Sequence, residues 1–189
     1  MFIQTEPTPN PATLKFLPGG DVMTRGTANF ESADQASASP LATRIFETEG
    51  VEGIYLGADF ITVTKAENKN WDVLKPLILG AIMEHFTAGK PVMEADAADA
   101  ANAAAGHSEN EGEDAVVARI KELLDTRVRP AVANDGGDIV YRDFKDGIVY
   151  LNMQGACSGC PSSTMTLKSG IENMLKHYIP EITEVRSVD

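Results

Sequence analysis

The sequence predicts an α+β protein of two small domains joined by a flexible, acidic, alanine-rich linker. Helical and alternating apolar patterns occur in both halves of the chain, so each half has helices and strands of its own. Eight alanines among residues 95–105 separate the two halves. With 189 residues and 43% hydrophobic side chains, the chain can fill one medium core or two small ones. We therefore assign residues 1–90 to a first domain, 91–112 to the linker and 113–189 to a second domain.

The linker is predicted from its composition. Residues 94–114 contain seven acidic and no basic side chains, and residues 95–105 contain no large apolar side chain. Such a segment has little surface to bury and carries charge of one sign. Both properties favour a solvated, extended tether.

The first domain opens with an extended segment. Three prolines in residues 5–11 forbid a helix and favour an extended or edge strand, and a further strand is predicted over residues 12–17. Ser39 followed by Pro40 is typical of an N-cap and a first helical residue. This pair predicts a helix over residues 41–48.

The first domain continues with a hairpin and a second helix. The hairpin is predicted over residues 51–65, with its turn at 57–59. Asn70 can cap a helix over residues 71–88, whose apolar stripe has four-residue spacing. That stripe consists of Leu74, Ile78, Ile82 and Phe86. No catalytic constellation is visible in this domain, and we expect it to recognise target proteins.

The second domain is predicted to follow the order α-β-β-α-β. Its first helix carries an apolar face between Val116 and Val128 and is loosened at Pro130. A glycine turn at residues 134–138 leads into a hairpin, and Pro180 stops the second helix. The predicted strands of this domain are residues 139–144, 148–153 and 182–188.

The chain has two cysteines, Cys157 and Cys160, which lie in the turn between the predicted strand 148–153 and a helix that begins at Pro161. The first-turn N–H groups and the positive end of the helix dipole stabilise a thiolate in such a turn. The sequence therefore predicts a pair of thiols suited to metal binding or nucleophilic chemistry.

Four interpretations of the cysteine pair are open from its spacing. Iron-sulfur clusters are normally held by four thiolates, so two chains would have to meet around one cluster. A dithiol-disulfide oxidoreductase also places such a pair after a strand, although α-β-β-α-β is not a thioredoxin-like order. Zinc would again need ligands from two chains. The fourth interpretation gives the cysteines no metal role.

Charge and composition exclude several function classes. The formal net charge is -12 and the pI is about 4.6, without a run of Lys or Arg, which argues against nucleic-acid binding. No apolar run approaches the ~20 residues of a membrane span, so no membrane association is expected. A single cysteine pair favours a reducing compartment. We expect a cytoplasmic bacterial protein, or a mitochondrial matrix protein whose presequence has been removed.

Two groups of motifs resemble one known family. Residues 1–11 together with 14–16 are similar to the opening of the Nfu N-terminal domain. Residues 134–138 together with 155–161 resemble the NifU C-terminal domain, which contains the cysteine pair. The motifs occur in the same order, at a domain-sized separation, and the likeness covers nearly the whole chain except the linker.

The resemblance implies an iron-sulfur cluster carrier rather than an enzyme, without catalytic residues. It implies a 4Fe-4S cluster between two subunits, one per homodimer, with Cys157 and Cys160 as the cofactor-binding and metal-ligating residues, and 2Fe-2S as another possible occupant. The cluster would come from an upstream cluster scaffold and pass to apo iron-sulfur enzymes.

Overall fold

The structure, a computed structural model, describes residues 2–94, 115–158 and 161–188, without the side chains of residues 161–163. The chain divides into two compact units, residues 1–106 and 107–189. Each unit contains helices and a sheet, which confirms the predicted α+β fold in two domains. Most of the predicted linker, from residue 95 onwards, lies outside the described residues.

The N-terminal unit is built on an antiparallel sheet with the strand order β1-β2-β5-β4-β3. Its elements are β1 (Gln4–Pro7), β2 (Thr13–Leu17), β3 (Ala28–Phe30), α1 (Pro40–Phe46), β4 (Val51–Leu56), β5 (Ile61–Lys65) and α2 (Trp71–Thr87). The proline-rich opening forms the edge strand β1, as predicted. Strand β3 was not predicted, because three residues are too few to show an alternating pattern.

Both predicted helix caps of this unit are confirmed. Ser39 Oγ accepts a hydrogen bond from the Ala42 N–H at 3.1 Å, and Pro40 is the first residue of α1. Asn70 Oδ1 accepts from the Asp72 N–H at 3.0 Å at the start of α2. These bonds satisfy N–H groups that have no partner within the helix, so the helices begin where the sequence predicts.

Helix α2 is apolar on two faces. Leu74, Ile78 and Ile82 are buried in the core of the N-terminal unit, as the predicted stripe requires. The solvent-facing side also carries large apolar side chains, namely Val73 (65% exposed), Leu77 (55%) and Met83 (45%). A helix inside a single small domain does not need this second apolar face.

The C-terminal unit follows the predicted order α-β-β-α-β. Its elements are α3 (Ala115–Leu123), a π-helical turn (Leu124–Val128), α4 (Arg129–Asn134), β6 (Gly137–Lys145), β7 (Ile148–Gly155), α5 (Pro161–Tyr178) and β8 (Glu184–Ser187). The first predicted helix is thus one helical segment interrupted by an irregular turn. Pro130 follows this turn. Its ring would clash with the carbonyl of the residue four positions earlier in a regular α-helix, and the irregular turn avoids that clash.

The sheet of this unit has the strand order β6-β7-β8. Strands β6 and β7 form the predicted hairpin, and Asp146 (φ 53°) and Gly147 (φ 77°) make its turn. Strand β8 pairs with β7 in parallel, and helix α5 supplies the crossover that a parallel pair needs. The sheet and helices enclose one apolar core.

Within the described residues, the helices are too short or too polar to cross a membrane.

Candidate functional site

The cysteine turn follows β7 directly, and Gly155 starts it with a φ of 62°. The Ala156 N–H donates to the Gly136 carbonyl at 3.1 Å and so ties this turn to the loop before β6. Thr164 Oγ1 in α5 donates to the Cys157 carbonyl at 3.1 Å. The turn is therefore attached to both the α4–β6 loop and the first turns of α5.

Cys157 is buried. Its side chain is 5% exposed and belongs to the core of the C-terminal unit. The sulfur lies against Gly137, and a Cβ built on Gly137 would be 2.4 Å from the Cys157 Sγ. A residue with any side chain at position 137 would overlap the thiol, so a glycine is required there for close approach rather than for a special φ.

Burial raises the pKa of Cys157 to about 12, and the negative charges of Asp135 and Asp138 add to this effect. The expectation that the helix start would favour the thiolate is therefore wrong for Cys157 in this structure. The physical reason is that burial removes water from the charged form of the thiol.

A buried ion pair lies beside the cysteine turn. The Asp138 side chain is 5% exposed, and both of its oxygens accept from Arg129, from Nε and Nη2, at 2.8 Å each. Asp138 Oδ1 also accepts from the Ile139 N–H at 2.8 Å. These bonds hold the pKa of Arg129 above its usual range. The pair anchors the residue that directly follows Gly137.

Arg129 was not found from the sequence. It lies nine residues before Asp138, at the start of α4, and this separation matches neither a helical nor a strand period. The sequence did contain one signal for such a pair, namely Asp138 within the glycine turn. If this carboxylate is buried, it needs a cationic partner.

The second predicted ligand, Cys160, lies outside the described residues. Among the residues that are described, no three His, Cys, Asp or Glu side chains gather into a group that could hold a metal ion. Cys157 alone cannot hold a cluster. The ligand pair of Cys157 and Cys160 therefore stays a prediction.

The described histidines lie apart from any such group. His85 in α2 is 3% exposed, and its Nε2 has no hydrogen-bond partner in the described part of the chain. Burial lowers the pKa of His85. His177 near the end of α5 meets the Tyr178 ring edge-on, with 5.0 Å between the ring centroids.

Two family models match the chain, one to each unit. Residues 3–89 match the scaffold protein Nfu/NifU N-terminal domain, and residues 120–186 match the NifU-like domain. The α+β domain that carries a cysteine turn after β7 is thus of the NifU-like class. The chain belongs to the Nfu/NifU-like family.

Curated relatives are similar over almost all of this chain. NifU-like protein 4, mitochondrial, of Arabidopsis thaliana is 52% identical over 98% of this chain and 65% of its own length. The human NFU1 iron-sulfur cluster scaffold homolog, mitochondrial, is 50% identical over 100% of this chain and 72% of its own length. The chain thus spans slightly less than two thirds of the Arabidopsis protein.

One solved structure is similar to part of this chain. The solution NMR structure of a NifU-like protein from Saccharomyces cerevisiae is 29% identical and covers 50% of this chain and 86% of its own, with a TM-score of 0.45.

Proposed function

We propose that this protein carries an iron-sulfur cluster as cargo, binds it through Cys157 and Cys160, and passes it to apo-proteins. The observation that carries the proposal is a single cysteine pair in the β7–α5 turn of a NifU-like domain. Relatives with about 50% identity are named iron-sulfur cluster scaffolds. Thiolate sulfur is the usual protein ligand of iron-sulfur clusters, so the donor chemistry of the pair fits this cargo.

The cluster is shared between two subunits in this proposal. Each chain supplies two cysteines, whereas clusters are normally held by four thiolates. A homodimer with one 4Fe-4S cluster completes the set, and a 2Fe-2S cluster is the other occupant that four thiolates suit. A symmetric dimer places the same turn of both chains at one two-fold axis.

Sharing also makes the cluster releasable. Each subunit contributes only two iron-sulfur bonds, so an incoming apo-protein can replace one pair of thiolates before the other pair lets go. A single chain with four cysteines would retain its cluster more firmly. Dissociation of the dimer and transfer of the cluster are coupled in this mechanism.

The dithiol-disulfide oxidoreductase interpretation receives no support. An attacking thiol works best when its pKa lies near the ambient pH. The pKa of Cys157 is raised to about 12, which is opposite to that requirement. The relatives are named as scaffolds, and a role without catalytic turnover agrees with those names.

The N-terminal unit is proposed to recognise recipient proteins. The supporting observation is the exposed apolar row on α2, formed by Val73, Leu77 and Met83. Three side chains offer far less than the ~800 Å² per partner that a stable interface buries. A contact of this size is suited to a short-lived encounter with an apo-protein rather than to a permanent dimer.

The cellular location is proposed from the relatives. Their names place them in mitochondria, which favours the mitochondrial matrix and gives the cytoplasmic expectation no support. An upstream cluster scaffold is the proposed source of the cargo, and apo iron-sulfur enzymes are its proposed recipients.

Anaerobic loading of the full chain with iron and sulfide tests the proposal. We expect iron-thiolate absorption, a change from monomer to dimer, and about four irons per dimer for a 4Fe-4S cluster. Cys157→Ser or Cys160→Ser should abolish loading and dimer formation together, each as completely as the double variant, because each removes two of four ligands. Ser169→Ala, at an exposed position of α5, is the control and should load normally. A monomer that retains a full cluster would refute the shared site.

A further inference from the structure

The Cys157 thiol packs closely against the backbone at Gly137 and Gln154, and we call this position in the core its seat. A Cβ placed on Gly137 would lie 2.4 Å from the Cys157 Sγ, 2.8 Å from the Gln154 carbonyl oxygen and 3.0 Å from the Cys157 nitrogen. Gly137 pairs with Gly155 in the β6–β7 ladder, so two residues without side chains face each other beneath the cysteine turn. The space that a side chain would fill is occupied by the sulfur.

One wall of this seat is firmly held. The residue after Gly137 is Asp138, whose carboxylate accepts two bonds from Arg129 and one from the Ile139 N–H. The residue before it, Gly136, accepts from the Ala156 N–H at 3.1 Å. Charge-assisted bonds in a buried setting are among the stronger contacts available to a small domain. The glycine side of the seat is therefore rigid.

The other wall is the cysteine turn, which neutral hydrogen bonds hold. Thr164 Oγ1 donates to the Cys157 carbonyl at 3.1 Å, and Ser158 Oγ donates to the Gly155 carbonyl at 2.9 Å. The Cys157 N–H donates to the Gln154 carbonyl at 3.3 Å, and the Ser158 N–H to the Gly155 carbonyl at 3.1 Å. No charged group takes part in these two bonds. Gly155, which starts the turn at a φ of 62°, can change its φ and ψ more freely than other residues. The turn, which lacks an ion pair of its own, is therefore the less firmly held side of the seat.

We propose that Gly137, fixed by the Asp138–Arg129 ion pair, is a positioning residue that seats the Cys157 thiol in the cluster-free chain. A pivot of the turn at Gly155 brings the sulfur out for ligation without unfolding of the domain. A thiol that is 5% exposed cannot reach a cluster shared with a second subunit, so loading requires this release. The identity of the cargo rests on the proposed function, whereas the seat exists in the cluster-free chain.

Thiol labelling of the full-length Cys160→Ser chain tests the seat, because Cys157 is then its sole thiol. The labelling rate of Cys157 is measured at several urea concentrations below the unfolding transition. Release by a local pivot exposes little new surface, so the rate should stay constant over this range. A rate that rises with the urea dependence of global unfolding would overturn the proposal.

Gly137→Ala in the same background should raise the labelling rate about tenfold or more, because the added methyl group overpacks the seat and displaces the sulfur. Gly170→Ala is the matched control, since a Cβ there meets nothing within 4 Å, and it should label at the parent rate. A folded Gly137→Ala chain that labels at the parent rate would contradict the seat. Because the Gln154 carbonyl is also close, this variant can fail to fold, and the urea series then decides alone.

Cluster loading separates this inference from the proposed function. With Cys160 present, Gly137→Ala should take up iron and sulfide faster than the natural chain at equal protein concentration. If neither chain binds a cluster but the labelling results hold, the proposed function fails and the seat stands. If both load but labelling requires global unfolding, the cargo assignment stands and the seat is wrong.

Discussion

At the scale of single residues, the buried thiol of the cysteine turn and a buried carboxylate next to it differ in their need for a charged partner. Burial raises the pKa of the Cys157 thiol, and a protonated thiol needs no counter-charge. Asp138 is equally buried and forms a two-bond ion pair with Arg129. A buried carboxylate that loses its partner keeps its full desolvation cost, so such a pair is expensive to break even where it adds little net stability.

Asp138→Asn should destabilise the C-terminal unit by up to about 3 kcal/mol, because it removes the buried carboxylate partner of Arg129 and leaves only Asp125, which is 3.2 Å from Arg129 Nη1 and 41% exposed. Amide hydrogen exchange of β6 and β7 reports this unit separately, and we expect faster exchange there. Asp143→Asn is the matched control on β6, since Asp143 pairs with Lys145 at an exposed site. Equal exchange in the two variants would show that the Arg129 pair does not hold the sheet.

At the scale of elements, helix α5 is joined to the edge strand β8 by one carboxylate. Glu172 accepts from Lys176 Nζ at 2.7 Å and from the Val185 N–H at 3.1 Å. Strand β8 is only four residues long and pairs with β7 along one edge. The bond from the Val185 N–H to Glu172 therefore attaches β8, a short strand at the edge of the sheet, to helix α5.

The pH dependence of this link follows from Glu172. Lys176 and, second, the Val185 N–H lower the pKa of Glu172 below its usual range. A carboxyl whose pKa is lower in the folded chain contributes stability above its unfolded pKa, roughly 4.3, and loses it as the pH falls through the folded value. We expect the protection factors of the β8 amides, corrected for the intrinsic exchange rate at each pH, to fall at acidic pH, and Glu172→Gln should remove part of this dependence.

Glu181→Gln is the control for that measurement, because Glu181 is an exposed carboxyl in the loop before β8. It should leave the pH profile of β8 unchanged. The same acid-induced loss of protection in Glu172→Gln as in the natural chain would assign the effect to other carboxyls.

At the scale of the whole molecule, the proposed function gives the two units different tasks. The cysteine turn lies in the C-terminal unit, and the exposed apolar row of α2 lies in the N-terminal unit. If the row holds a recipient while the other unit presents the cluster, the transfer step gains an effective concentration. That gain matters most when the proteins are dilute.

Leu77→Lys should therefore slow transfer to an apo 4Fe-4S enzyme by several-fold in dilute solution and have little effect in concentrated solution. Because Leu77 is 55% exposed, folding and cluster loading should be preserved. Recovery of the recipient's enzymatic activity over a dilution series measures the effect. Ala33→Lys adds the same charge at another exposed position of this unit. Equal rates for the two variants at every dilution would remove the recognition role of the row.

The sequence by itself determined the α+β class, the order of elements in the C-terminal unit and the position of Cys157 in the turn after β7. It also located the caps at Ser39 and Asn70 and the hairpin turn at Gly147. These features depend on apolar periodicity and on bonds between residues a few positions apart, so a local pattern is sufficient to predict them.

Only the tertiary structure decided that Cys157 is buried against Gly137, that Arg129 pairs with Asp138 and that β8 runs parallel to β7. The thiol and its seat are twenty residues apart, and each contact depends on how the α4–β6 loop packs against the β7–α5 turn. A local pattern placed the cysteine at a helix start, where a thiolate is favoured. Packing placed its sulfur in the core, where burial disfavours the thiolate.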